Sequence, residues 1–405
     1  MTATGYAYDL VERVDEVEAE TWQAVCRDAG DHPYLGLGFL RAVELSFSHE
    51  ARFWYAIFRD DAGKPVACTC FSLYLVDCAL LAPRAVRRIT DGVRKVWSSF
   101  LKHKILLCGV PVSTCNNQLA ISEGADIERL ALSLDVLALK LARDSQCKLI
   151  SFKEFPPHMS QRMDALQGRG FLRARSLVAY SLSGDFGSFA SYQASRSKRR
   201  RAHIRRSIQK FESAGLTCEF LRGRDGVDRL YTDEVHRLYL NVLDRAKVKF
   251  EQIPADFFRE LARQVPDESC FAILRKGDRI VAFCCGLAAA GEHYMLYCGL
   301  DYALNADTDL YFNTIYRGLG QGLAPGVKVV HIGASADEFK RRMGCTGESL
   351  AIYVKAVGAL PQFLLRQFFG LLFDTSPEAS QANPNAAPQS ADDEPKPQID
   401  RVRAA

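Results

Sequence analysis

The chain reads as one succession of helices and strands written out twice. In the first half, helical patterns at 18–29 and 37–46 precede two strands, 53–59 and 66–76, joined by the turn Asp60-Asp61-Ala62-Gly63-Lys64. A strand at 105–110 running into a Gly-Pro turn, a helix at 127–145, a strand at 148–152, a helix at 164–169 stopped by Gly170 and a strand at 177–183 complete it. The second half sets helices at 196–214, 227–245 and 255–265, with a strand at 217–221, before a hairpin of 271–275 and 280–289 about Lys276-Gly277-Asp278. A strand at 293–300, a helix at 310–323, a strand at 327–332, a short helix at 336–343 and a strand at 350–357 close it. Strands that alternate with helices in this way predict an α/β chain with mixed sheets, built as two related domains.

Composition fixes the limits of the folded part. Between Thr375 and Ala405 the only apolar residues larger than alanine are Ile399 and Val402, and five prolines interrupt the rest. Such a stretch buries too little surface to offset the entropy of ordering it, so a disordered tail is expected over 374–405. The expected domains are then 1–190 and 191–373. Residues 1–20 are acidic and lack a basic-then-apolar leader pattern. The most apolar late stretch, 359–373, is interrupted by Gln362, Arg366 and Gln367 and is too short to span a bilayer. It predicts a helix docked on its own domain. No membrane span is expected.

Thirteen cysteines form no CxxC pair and come in an odd number, many of them inside apolar runs. Reduced, buried thiols and a cytoplasmic chain are expected, with no metal site. The net charge of +4 is small, but eight Lys or Arg and no acid fall between Arg196 and Lys210. On a helix, Arg199, His203, Arg206 and Lys210 share a face, with Arg201 and Arg205 beside it, while Ile204, Ile208 and Phe211 form a narrow apolar stripe. Three roles fit this helix: a solvated face, a site for coenzyme or substrate phosphate, or a contact with RNA.

Three blocks carry a resemblance. They are His32-Pro33-Tyr34…Gly38-Phe39-Leu40 with Ala42-Val43-Glu44, then Ser197-Lys198-Arg199-Arg200-Arg201…Ile204-Arg205-Arg206, and last Leu310-Tyr311-Phe312-Asn313 through Gly333-Ala334-Ser335…Phe339-Lys340-Arg341-Arg342-Met343-Gly344. In order and spacing they resemble the GNAT acyltransferases, and the doubled arrangement is similar to the tandem-domain FemAB-like branch, over about residues 15–357. The resemblance implies two GNAT-like domains, the first non-catalytic and shaping an acceptor cleft, the second binding the donor. It also implies that strand 293–300 splays from a neighbour and leaves backbone N–H groups for an acyl carbonyl. Cys298, Gly299, Leu310, Tyr311, Asn313, Gly333, Ser335 and Lys340 would then bind the donor, acyl-CoA as co-substrate. Lys249, Phe250 and Asn116 would bind the acceptor.

Acyl transfer to an amine needs a base for the ammonium and a proton source for the leaving group. Glu251 and Asp301 are the candidate bases and Tyr297 the candidate acid. Against this, the phosphate loop expected before residue 310 is replaced by Asn305, Asp307 and Asp309, whose carboxylates repel a pyrophosphate but suit a helix cap. The match Arg317-Gly318-Leu319-Gly320-Gln321-Gly322 falls at the far end of the helix, where glycines serve close packing. In the first half Pro156 and Pro157 are expected to prevent a tight strand-to-helix turn like that at Gly333. The preferred function is an N-acyltransferase moving an acyl group other than aminoacyl from acyl-CoA to a small or amino-acid-like amine. The alternatives are an aminoacyl-tRNA-dependent transferase, with Arg199, Arg200, Arg201, Arg205 and Arg206 on the RNA, and a non-catalytic ligand-binding protein.

Overall fold

Alternating apolar residues build strands buried on both faces: in 51–59, Phe53, Tyr55 and Ile57 enter one core while Trp54, Ala56 and Phe58 enter another. A computed structural model describes residues 4–30, 32–77, 92, 102–246, 251–289, 291–334 and 336–373. The expected tail, 374–405, lies outside them. Among the described residues thirteen strands form one mixed sheet. They are β1 (Ala7–Val11), β2 (Ala51–Arg59), β3 (Pro65–Asp77), β4 (Lys102–Cys108), β5 (Leu119–Ile121), β6 (Leu149–Phe155), β7 (Leu172–Ser183), β8 (Leu216–Arg222), β9 (Ser269–Lys276), β10 (Arg279–Ala289), β11 (Glu292–Leu300), β12 (Val329–Gly333) and β13 (Thr346–Ala356).

The strand order, β1-β2-β3-β4-β6-β13-β7-β12-β11-β10-β9-β8 with β5 on β3, joins the two halves in one sheet. The last strand, β13, lies between β6 and β7 of the first half, and β7 in turn pairs with β12 of the second. The halves therefore share a sheet through interleaved strands.

One face of that sheet carries a core common to both halves. Trp22 of α1 (Ala19–Asp28) and Phe39 and Leu40 of α2 (Leu37–Ser46) enter it from the first half. Leu238 and Tyr239 of α6 (Asp233–Arg245) and Phe257, Phe258 and Leu261 of α7 (Ala255–Gln264) enter it from the second. Burying each such side chain is worth roughly 1.5–3 kcal/mol, so the shared face holds the halves together. On the opposite face, α3 (Ile127–Asp144) covers the first half. There α5 (Lys198–Ser213), α8 (Leu310–Gly322) and α9 (Asp337–Met343) cover the second.

Three local expectations change. The helix expected over 227–245 is broken: a single turn, Val227–Leu230, ends at Tyr231, and the Thr232 hydroxyl accepts from Val235 N to start α6 afresh. Pro157, expected with Pro156 to prevent a tight strand-to-helix turn, opens α4 (Pro157–Met163), since a first helical position needs no N–H. The strand β1 was not foreseen. The helix expected late in the chain, α10 (Ala359–Leu372), docks on its own fold: Phe369 packs with Ala174 and Val354, and Gln362 bonds Ala356 N and Gly170 O. Among the described residues, no helix is long and apolar enough to cross a membrane.

Candidate active site

A bulge in β11 creates the site. Along β10, Cys285 pairs with Tyr297 and Gly286 with Met295, so Leu296 is an extra residue on β11. A bulge increases local twist and bends its strand. Correspondingly, β11 pairs with β12 only through Glu292–Val329, His293–Val330 and Tyr294–His331. From Met295 to Leu300 the two strands separate, which opens a slot through the sheet. A cavity of about 260 Å³ fills that slot.

Its walls come from both sides of the sheet. Tyr239, Leu243, Glu251 and Tyr297 line it on the face shared by the halves; Cys298, Tyr311, Ile315 and Lys340 line it on the other. Gly333 and Ala334 close the β12 side, and Ser113, Thr114 and Cys115 of the first half close the remaining end.

Glu251 and Tyr297 meet there. The Tyr297 hydroxyl lies 3.3 Å from Glu251 Oε1 and 3.3 Å from the Ser113 carbonyl oxygen. Ser113 N donates to Glu251 Oε1 at 3.0 Å. Burial pushes the Glu251 carboxyl up to about 7, with Glu154 adding to the rise and Lys153, the Ser113 N–H and the Tyr297 hydroxyl opposing it. Burial, and then Glu251 itself, holds the Tyr297 phenol well above its usual range, so it keeps its proton. Lys340 Nζ donates to the carbonyls of Gly333 (2.9 Å) and Ala334 (2.6 Å), and burial lowers it to about 8. Cys298 is pushed up to about 11 by burial, which leaves it a thiol.

The other residues singled out in the sequence stand elsewhere. Asp301 pairs with Arg279 at 2.7 Å and accepts from Ala303 N at 3.0 Å, so it caps the turn after β11, away from the cavity. Gly299 serves packing: a Cβ there would stand 2.5 Å from Tyr239 N, because α6 lies directly against the strand. Leu310 is core. Asn313 is buried and donates to Ser207 O at 2.9 Å, tying α8 to α5. Asn116 accepts from Asn117 N at 3.0 Å and does not line the cavity. Lys249, Phe250 and Ser335 lie outside the described residues. His331 is held by Glu292 at 3.0 Å and stacks on Tyr294, with ring centroids 4.3 Å apart.

The start of α8 is closed to a pyrophosphate. Asn305 Oδ1 accepts from Tyr311 N at 2.8 Å, and Lys210 of α5 pairs with Asp309 at 3.0 Å across the same end. Gly318, farther along α8, sits against Cys284 and Met295, where a Cβ would approach to 2.7 Å; its role is packing.

Sequence reasoning expected the first half to shape a cleft but missed the residues that do so, Ser113 to Cys115 and the Glu154 behind them. Glu154, buried at positive φ (63°), accepts from Thr114 N at 3.1 Å and from the Ser113 hydroxyl, and so shapes the loop that reaches Glu251. The available signal was the Glu154-Phe155-Pro156-Pro157 run after a strand, an acid with no evident solvent role.

Residues 198–341 match the acetyltransferase (GNAT) domain family. The matched segment lies within the second half. The chain as a whole resembles solved structures at low sequence identity. The solved structure of FemX superposes with a TM-score of 0.52 at 10% identity, covering 89% of this chain and 99% of FemX. A tandem GNAT protein from the clavulanic acid biosynthesis pathway gives 0.50 at 10% identity, with 87% and 99% covered. L-PGS from Bacillus licheniformis gives 0.46 at 14% identity, with 87% and 97% covered. No curated protein matches the chain. The GNAT domain accounts for β11, β12 and the helices about the slot; Ser113 to Cys115 come from outside it.

Proposed function

We propose that the chain is an N-acyltransferase that moves an acyl group from a thioester of coenzyme A to the amine of a small or amino-acid-like acceptor. The observation that carries this reading is the slot between β11 and β12, with a raised carboxyl and a protonated phenol 3.3 Å apart inside it.

In this mechanism the unpaired edge of β11 receives the donor carbonyl, and its backbone N–H groups stabilise the oxygen as it gains charge. Glu251, ionised above about pH 7, takes a proton from the acceptor ammonium. The freed nitrogen forms a bond to the carbonyl carbon, and the C–S bond breaks. Tyr297 gives its proton to the departing sulfur and recovers one from Glu251 across the 3.3 Å contact. The acceptor nitrogen loses two protons in all: one reaches sulfur by way of Glu251 and Tyr297, the other is shed to solvent as the N–C bond forms, and Glu251 and Tyr297 are restored. Ser113 fixes the carboxylate by its backbone N–H, and Lys340 holds the Gly333–Ala334 turn that borders the slot.

The closed start of α8 supports a second reading, in which the donor is an aminoacyl-tRNA and the basic helix α5 takes RNA phosphates. Native mass spectrometry against a panel of acyl-CoAs and against charged tRNA separates the two. Retention of a CoA species, with thiol release when amines are added, is the expected result. A tRNA complex that dissolves at raised salt and is lost on neutralising Arg199, Arg200 and Arg201 would replace the first reading by the second. Binding of neither would end both.

A further inference from the structure

A second cavity, of about 160 Å³, lies on the other side of α8 and α9 from the slot. Arg196, Arg200 and Arg342 border it, together with the rings of Phe312, Tyr316 and Phe339. Glu338 is the one carboxylate among its lining residues, and it is paired with Arg342. Arg196 lies over the Tyr192 ring at 5.0 Å and donates to Met343 O at 3.3 Å, which aims it along the cavity wall. Among the described residues the Arg200 guanidinium has no hydrogen-bond or ion-pair partner. Burial, and then the neighbouring Arg342 and Arg199, lower its pKa, as expected where like charges stand close together.

The rings form a continuous wall. Phe312 and Phe339 have centroids 5.1 Å apart, Tyr316 and Phe339 6.3 Å, and His203 meets Phe312 at 5.7 Å. Guanidinium groups match phosphate oxygens in pairs, and aromatic faces accept a planar base with little regard to its identity. The volume falls below the roughly 300 Å³ lower limit of pockets for whole drug-sized ligands, so it takes one end of a molecule.

Its position relative to the slot is set by neighbouring residues. Tyr311 and Lys340 line the slot; Phe312 and Phe339, next to them in sequence, line the second cavity. Tyr311 and Phe339 touch between the two, at 5.8 Å. We propose that this second cavity binds a nucleoside phosphate, the nucleotide end of the acyl donor, with Arg196, Arg200 and Arg342 on phosphate oxygens and Phe312, Tyr316 and Phe339 against the base. This site replaces the phosphate cradle that Asn305 and Lys210 close at the start of α8. Its assignment to the donor rests on the acyl-transfer reading; its affinity for a nucleoside phosphate does not.

Adenosine 3′,5′-bisphosphate, which has base and phosphates but no acyl group, is the probe, with binding to the full chain followed by calorimetry. Saturable binding is expected, weakened about tenfold or more in Arg200→Gln by loss of a charge-assisted contact. Arg342→Gln should weaken it as well, and Glu251→Gln should leave it unchanged. Arg200 is exposed on α5, so its variant should keep the wild-type melting curve. Displacement of the probe by coenzyme A, or by an RNA ending in CCA, supports the proposal and names the source of the nucleotide. Absence of saturable binding, binding as tight as wild type in both arginine variants, or inorganic phosphate competing as well as the bisphosphate would each overturn it. The two readings fail separately. Probe binding without transfer to any amine sinks the acyl-transfer reading alone, whereas transfer that the probe neither binds to nor inhibits sinks the nucleotide site alone.

Discussion

At the scale of single residues, the proposed mechanism concentrates its chemistry on Glu251. Its raised carboxyl gives two expectations of opposite sense. As a base it works only when ionised, so kcat/KM should rise with pH to a plateau above about 7. Glu251→Gln should remove that limb and cost roughly 100- to 10,000-fold in rate. For stability, the unfolded chain releases this proton near 4.5 and the folded chain near 7. The folded state therefore binds more protons between those values, and stability falls as pH rises through the window. Glu251→Gln removes the penalty, and should raise stability at pH 8 by roughly 1–3 kcal/mol but hardly at pH 4, measured by urea denaturation at both. An unchanged difference between the two pH values would show that the carboxyl is not raised. Glu251 and Tyr297 could be picked from the sequence because a carboxylate and a phenol suit the reaction wherever they lie. Ser113 and Glu154 could not, since what brings them to Glu251 is strand pairing some 40 to 140 residues distant. Asp301 was equally suitable by type, yet Arg279 and the turn after β11 engage it.

At the scale of elements, the bulge at Leu296 decides whether a slot exists. Nothing in Tyr294-Met295-Leu296-Tyr297 announces an extra residue, because alternation continues on either side of it and only the partner strand reveals the slip. Helices were more legible: the helices expected from 127 and 196 begin beside the caps Asp126 and Ser197. The break at Tyr231 escaped because the apolar spacing runs through it while the cap at Thr232 resets the backbone. Gly299 holds α6 against β11, so Gly299→Val should push Phe283 and the Tyr239 backbone away from a Cβ within 2.5 Å of both. A loss of roughly 1–3 kcal/mol in chemical denaturation is expected, with a wider slot and a raised KM for donor. Wild-type stability in that variant would mean that the helix and strand are not in contact.

At the scale of the whole molecule, the doubled order of elements was readable, but the exchange of strands was not. The pattern of 346–356 fits any buried strand, and no local signal tells it to sit between β6 and β7 rather than beside its own half. The exchange makes a prediction about cooperativity. A fragment of residues 1–190 would leave β7 without either neighbour and β6 without β13. It should show no cooperative urea transition by tryptophan fluorescence, and co-expression with 191–373 should restore one. The full chain should unfold in a single step; two separated transitions would mean that the halves are thermodynamically independent.

The position of β13 also bears on how the polypeptide is made. A ribosome delivers the amino-terminal strands well before residue 346, so during translation β6 and β7 expose open backbone edges to other nascent chains. Holding those edges apart until the closing strand emerges is a task for a chaperone, and slow decoding anywhere between 184 and 346 would lengthen the exposure.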